Sequence, residues 1–552
     1  MTFRFKFRIL TLLGLLVSSF LLNLAGSPNI TQAQTVPLTA NIRWGYYVKI
    51  QNSLDSLRQN IGSLDVVSPG YFGLKPDGTI IGTDQAEVTT LAKSRGVRII
   101  PIVQNGQAVK DDFTKLISDQ NAVTRIINQI DTLVSTYGYD GINIDFENVN
   151  ATDRPQFTAF MSQLYAKLKS KNKLTTAALV SKTRDVTTGF GGVYDYAALA
   201  PYLDLAVIMA YDFHYRGGTD GPVAPITWQN SVAAYASSQL GPGKVLLGVP
   251  LYGYDWNLTE GGFATSRGYD DAQDTIRKFK GTQGYDEVSQ EAFADYSDGA
   301  NAHRIWFQNP RSLAAKLDLM KKNNLAGFAM WRLGHEGVGF WPVVRNATLP
   351  TAPIAPFTST SAKTYYPQTG HSLGGVFKTY WEKNGGLAQF GYPWTEEFIE
   401  RNPSDGKDYT VQYFERARFE YHAEFKGTAS EVLLGLLGRQ VTVGREGDNP
   451  FRPIAAFQGR PDVWYIAETG HSLSYGFLNY WLRNGGVAIY GFPTSEEFQE
   501  VSPTDGKTYT VQYFERNRFE YHPENKGTKY EVLLGLLGNQ VMKEYGWLRQ
   551  ET

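Results

Sequence analysis

The sequence predicts an α/β chain: a (β/α)8 TIM barrel with a small insertion between its seventh and eighth strands, followed by two tandem β-rich repeat modules. Two observations carry this. Between about residues 40 and 345, eight short apolar runs alternate with stretches of helical periodicity. Beyond that region TGHSL at 369–373 recurs at 469–473, and VQYFERARFEYH at 411–422 recurs as VQYFERNRFEYH 100 residues later.

The apolar runs lie at 42–48, 66–72, 97–103, 141–146, 175–180, 203–210, 244–251 and 326–331. Each has the length and β-branched or aromatic content of a buried strand. Between them, segments such as 131–137 and 156–171 place apolar residues at helical spacing. Residues 257–302 are longer than an ordinary connection and predict an inserted subdomain walling one side of a cleft. Residues 346–363, rich in Pro, Thr, Ser and Ala, read as an extended linker. The repeats then occupy 364–445 and 463–545, with 446–462 as a spacer.

Composition narrows the function. With 53 basic and 54 acidic residues the chain has no global field to draw it to nucleic acid or anionic lipid. It has no cysteine, which removes disulfides, thiolate nucleophiles and cysteine metal sites. The seven histidines lack paired ligand spacing and the glycine-rich places lack a phosphate-loop pattern, so no metal and no cofactor is expected. Aromatics at 14% suit sugar stacking as well as packed cores. At the N-terminus a basic MTFRFKFR precedes an apolar run, with Thr31-Gln32-Ala33 near a cleavage point after Ala33. Residues 1–33 therefore read as a signal peptide, against the alternative of an uncleaved anchor. The mature protein is expected to be secreted, extracellular or cell-wall associated, with no stable membrane insertion.

The most informative segment is Tyr139-Asp140-Gly141-Ile142-Asn143-Ile144-Asp145-Phe146-Glu147. In a strand, successive side chains alternate faces, so Asn143, Asp145 and Glu147 share one face and Ile142, Ile144 and Phe146 the other. Three such polar groups fit a reactive pocket better than a packed core. The pattern resembles the Asp-Gly-x-Asp-x-Asp-x-Glu signature of glycoside hydrolase family 18, the chitinase-like enzymes. Asn143 stands where the second acid usually does, and this variant looks like the branch that degrades peptidoglycan and spore cortex. Other strand ends are similar to family elements: Gly45-Tyr46-Tyr47, Met209-Ala210-Tyr211-Asp212, the Tyr252 of Gly248–Gly253, and Phe328–Trp331. Singly, Tyr211 or Trp331 could be a core aromatic.

The resemblance implies substrate-assisted, retaining cleavage of β-1,4 bonds after an N-acetylglucosamine-type residue, with the substrate's acetamido group as nucleophile. It assigns Glu147 as general acid and then base, Asp145 as the group orienting the acetamido nitrogen, and Tyr211 as donor to its carbonyl. Trp331 would floor the sugar; Tyr46, Asn143, Met209, Asp212 and Tyr252 would complete the substrate site. Asn143 removes a repulsive charge beside Asp145 while leaving it a possible hydrogen-bond partner. His214 could line the cleft or serve structure. Peptidoglycan is the first choice of polymer and chitin the alternative. A non-catalytic, cell-surface glycan-binding barrel is the reading from a different class. In the tail, Phe390-Gly391-Tyr392-Pro393 and Tyr490-Gly491-Phe492-Pro493, each followed by an aromatic strand and a Leu-Leu-Gly ending, resemble LGFP-type surface repeats, which implies cell-wall binding, and two linked copies could raise avidity.

Overall fold

The structure, a computed structural model, describes residues 41–402 and 405–549. The signal-peptide reading falls on residues 1–33, outside the described residues. No helix among the described residues is long and apolar enough to cross a membrane.

The expected barrel is present. Its parallel strands are Ile42–Tyr47, Val66–Leu74, a third in two pieces (Arg98–Ile99 and Ile102–Gln104), Gly141–Asp145, Leu174–Val180, Leu205–Met209, Val245–Pro250 and Gly327–Trp331. The first strand pairs with the second (Trp44 beside Val66) and with the eighth (Ile42 beside Gly327), so the sheet closes. The third strand breaks around Pro101, which has no amide to donate. Its carbonyl still accepts from Asn143 N at 2.8 Å.

Strand alternation divides the core into two layers. Ile42, Trp44, Ile102, Val207, Leu246 and Ala329 fill the barrel interior. Ile142, Ile144, Phe146, Ile208 and Met330 belong to the apolar layer shared with the surrounding helices. Helix Gln120–Tyr137 buries Val123, Ile126, Ile127, Ile130 and Val134 at three- and four-residue spacing. Asp119 accepts from Asn121 N at its start, and Gly138 at φ +65° ends it and turns the chain into the fourth strand.

The insertion is a five-stranded antiparallel sheet, in the order Thr265–Gly268, Tyr252–Asn257, Ala302–Phe307, Glu291–Ser297, Thr282–Asp286, with helix Tyr269–Phe279 packed on it. It begins at Tyr252 and ends at Phe307, wider than 257–302, because its first strand follows almost directly on the seventh barrel strand. Glu291, fully buried, anchors it by accepting from Val223 N and Ala224 N, each at 2.8 Å, and from Lys316 Nζ at 3.1 Å.

Each tail module contains a β-hairpin, two short helices and a four-stranded antiparallel sheet. In the first these are Lys363–Tyr366 with His371–Gly374, then Gly375–Lys383 and Gly386–Phe390, then Phe398–Arg401, Asp408–Tyr413, Arg418–Tyr421 and Val432–Leu434. The second repeats that order. The two share one buried cluster, containing Phe377, Phe390 and Phe419 beside Phe477, Tyr490 and Phe519. Contacts are exchanged reciprocally: Arg439 N donates to Glu515 O and Asn539 N to Glu415 O, both at 3.1 Å. A methyl on Gly438 would meet Phe514 O at 1.8 Å, and one on Gly538 would meet Phe414 O at 1.8 Å. Part of the text shared by the copies is thereby explained, since each Phe-Glu-Arg corner seats against the other copy's Leu-Leu-Gly corner.

The proline-rich segment after the barrel packs against the first module, with Ile354 N donating to Gly370 O at 3.0 Å. The second module has the same bond from Ile454 N to Gly470 O. The tail also docks on the barrel. Trp547 Nε1 donates to Gly339 O (2.8 Å), Tyr269 OH to Glu544 O (2.6 Å) and Arg345 Nη1 to Ile399 O (2.8 Å).

The reciprocal corners make a measurable demand. Gly438→Ala is expected to lower stability by about 1–3 kcal/mol or more, because backbone must move to admit the methyl. Gly62→Ala, whose added methyl meets nothing within 4 Å, is the control. Equal melting temperatures for the two variants would show that the close approach is absent.

Candidate active site

Asn143 and Asp145 occupy the inward face of the fourth strand, and Glu147 follows two residues beyond Asp145. Glu147 lies past the last strand pairing, so its backbone is held by other means. Its N donates to Asn105 Oδ1 (2.9 Å), Asn105 Nδ2 donates to its carbonyl (2.8 Å), and Tyr194 OH donates to Phe146 O (2.6 Å). Asn148, at φ +53°, then turns the chain away.

A cavity of about 430 Å3 opens at this end of the barrel. Tyr46, Asp145, Glu147, Met209, Tyr211, Asp212, Tyr252 and Trp331 border it, bringing together all but one of the residues expected from sequence. The exception, Asn143, is fully buried, donating to Tyr46 OH at 2.8 Å and accepting from Thr176 Oγ1 at 3.1 Å. Asn143 therefore orients the Tyr46 phenol, whose ring meets Trp331 edge-on at 5.2 Å. The place beside Asp145 that sequence reasoning offered to Asn143 is taken by Gln104, whose Nε2 donates to Asp145 Oδ2 at 2.9 Å.

Asp145 Oδ1 is buried and has no hydrogen-bond partner among the described residues. Burial raises the Asp145 pKa, and the Gln104 hydrogen bond opposes the rise. Glu147 is pushed up to about 7, first by burial and then by the charges of Asp145 and Asp212. Asp212, at the mouth, accepts from Tyr252 OH at 2.5 Å and Tyr254 OH at 3.0 Å. Loss of hydration raises its pKa and the two phenols hold it down. Burial drives the Tyr211 and Tyr46 phenols far above their ordinary range, so both stay neutral donors. The arrangement offers a carboxyl protonated near neutrality, an enclosed carboxylate oxygen free to accept, and a neutral phenol donor in one cavity.

Sequence reasoning missed Gln104, Asn105, Arg216, Tyr254, Arg332 and His335. Gln104-Asn105 directly follows the third apolar run, so the strand-end rule could have found it. Tyr254 belongs to the insertion sheet, and Arg332 and His335 to the loop after the eighth strand, where no periodicity marks them. Burial lowers the His335 pKa to about 4, with Arg332 adding to the effect. His214 is in hydrogen-bond reach of Thr219 O at 3.1 Å, holding a turn. Among the described residues no group of three or more His, Cys, Asp or Glu is placed to hold a metal ion.

Residues 42–336 match the model of glycosyl hydrolases family 18. The chain belongs to that family. A cortical fragment-lytic enzyme of Bacillus subtilis is 29% identical over 293 residues, 51% of this chain and 68% of that protein. The crystal structure of the Bacillus megaterium spore cortex-lytic enzyme SleL aligns at a TM-score of 0.53 and 26% identity, covering 57% of this chain and 75% of that one. A chitinase from Chromobacterium violaceum aligns at 0.52 and 25% identity, covering 56% and 99%. This family 18 chain is a glycosidase.

The raised Glu147 pKa has a signed effect on stability. Between its ordinary value of 4.5 and about 7 the folded chain holds a proton that the unfolded chain releases, so stability falls as pH rises through that window. Glu147→Gln removes this term. Its melting-temperature gain over wild type is expected to be larger at pH 8 than at pH 5, and a pH-independent difference would refute the assignment.

Proposed function

We propose that this family 18 enzyme hydrolyses β-1,4 bonds after N-acetylglucosamine-type residues in peptidoglycan, by substrate-assisted catalysis with retention. The observation that carries it is the combination of Glu147, raised to about 7, with the unpartnered buried oxygen of Asp145 and the neutral Tyr211 in one cavity. Glu147 protonates the glycosidic oxygen and then activates water. Asp145 Oδ1 accepts from the acetamido N–H, orienting its carbonyl toward the anomeric carbon and offsetting the positive charge of the oxazolinium. Tyr211 donates to the acetamido oxygen, and Trp331, edge to face with Tyr46, is the apolar floor.

Asn143 and the likeness to cortical and spore cortex-lytic enzymes support peptidoglycan as the polymer. The likeness to a chitinase supports chitin as the second reading. The N-terminal pattern supports export. The tail presents two partly exposed ring pairs in equivalent positions, Phe357 with Tyr365 and Phe457 with Tyr465, at centroid separations of 5.6 and 5.5 Å. We read these as contacts for cell-wall glycan.

The deciding experiment incubates the chain from Gln34, beside Glu147→Gln, with purified peptidoglycan and with chitin oligomers, the products being read by mass spectrometry. Reducing N-acetylglucosamine ends from peptidoglycan establish the first reading, and cleavage of chitin oligomers alone establishes the second. Glu147→Gln is expected to lose about 10²–10⁴ in rate. Asp212→Asn removes a charge that raises the Glu147 pKa, so the alkaline limb of its pH–rate profile should move to lower pH. A limb unmoved in that variant would refute the electrostatic account.

A further inference from the structure

Two cations in the cavity remain unused by the chemistry above. Arg332 follows Trp331 on the cavity wall, and Arg216 stands at the mouth in the loop after the sixth strand. Both share the cavity with Asp145, Glu147 and Asp212, yet among the described residues neither forms an ion pair, their hydrogen bonds going to carbonyls. The acids take neutral partners instead: Gln104 for Asp145, and Tyr252 and Tyr254 for Asp212.

The arginines' own hydrogen bonds go to main chain. Arg216 Nε donates to Ala264 O at 2.9 Å while its guanidinium lies 5.8 Å from the Phe263 ring centroid. Arg332 Nη1 reaches Leu333 O at 3.3 Å. The nearest acid on the Arg332 loop, Glu336, is already engaged, accepting from Gly334 N at 2.7 Å and from Ser56 Oγ. Burial disfavours the Arg332 charge, with only Glu336 acting to restore it. A half-buried guanidinium with unfilled donors, facing a substrate cavity, is a receptor for an anion.

We propose that Arg332 and Arg216 are specificity-determining residues that bind a carboxylate carried by a sugar neighbouring the cleaved bond. This rests on the peptidoglycan reading. Chitin carries no such group, whereas in peptidoglycan every second sugar bears a 3-O-lactyl arm. That arm ends in a free carboxylate or in a stem peptide with carboxylates of its own. The cavity acids repel any such substituent, and the two guanidinium groups, neither ion-paired among the described residues, provide the attraction that lets it enter.

The test compares wild type, Arg332→Gln, Arg216→Gln and the double variant on three oligomers of one length. Their lactyl carboxyls are free, methyl-amidated, or joined to a stem peptide. The expected result is a preference for free acid over methylamide in the wild type, carried by KM and weakened by salt. That preference should fall by about tenfold to a hundredfold in the double variant. The methylamide rates report whether each variant retains a working cleft. Loss of selectivity only on the stem-bearing oligomer supports the proposal and assigns the carboxylate to the stem. Equal losses on all oligomers, or an unchanged preference, overturn it while leaving the peptidoglycan reading intact. A wild type that cleaves chitin oligomers and none of these three overturns both.

Discussion

Enclosing carboxyl groups without giving them a cation is the constraint on which the rest of the barrel depends. Asp145 and Glu147 are withdrawn from water at the barrel mouth, with Asp212 above them, and their hydrogen bonds come from an amide and two phenols. The tail modules do the opposite with the same residue type. There Glu400 and Glu420 are buried against Arg418, and Arg518 pairs with buried Glu520 and half-buried Glu500. Ion pairing there ties strands together across each sheet, Arg418 reaching Glu400 and Arg518 reaching Glu500. Neutral partners serve the cavity, where one carboxyl must hold a proton near pH 7.

Maintaining that environment takes contributions from distant sequence. Glu291, in the insertion sheet, fixes the amides of Val223 and Ala224 and with them the end of the loop that begins at Tyr211. Asn105, beyond the third strand, holds Glu147 where no strand pairing reaches. Tyr269 ties the insertion to the loop after the eighth strand through its N to His335 O at 2.7 Å, and its hydroxyl binds the tail. Cleft walls and tail are thus joined through one tyrosine.

The strands were legible because each is a short run whose faces alternate between lumen and helix layer. The roles of Ile142, Ile144 and Phe146 against Asn143 and Asp145 followed from that period alone. The residues after strand ends were legible only where a family pattern marked them. Arg332 and His335 sit in a loop without period, and Gln104 contacts Asp145 across 41 residues, a pairing no local rule contains. The start of the insertion is hidden in the sequence because nothing in Leu251-Tyr252-Gly253 separates the end of a barrel strand from the start of another sheet. Duplication was plain in the text, but repetition is silent about whether two copies stand apart or close on each other.

They close on each other, and the manner of closing has a consequence of its own. When each half gives the same corner and receives the same corner, the contact is isologous, the arrangement of a symmetric dimer. Here both halves lie on one chain, so mass action has been replaced by tethering and the pair is complete at any dilution. A chain carrying a single copy would leave one Leu-Leu-Gly corner and one Phe-Glu-Arg corner without the partner that each has here. The duplicated half thus supplies within one chain the partner surface that a symmetric dimer draws from a second molecule.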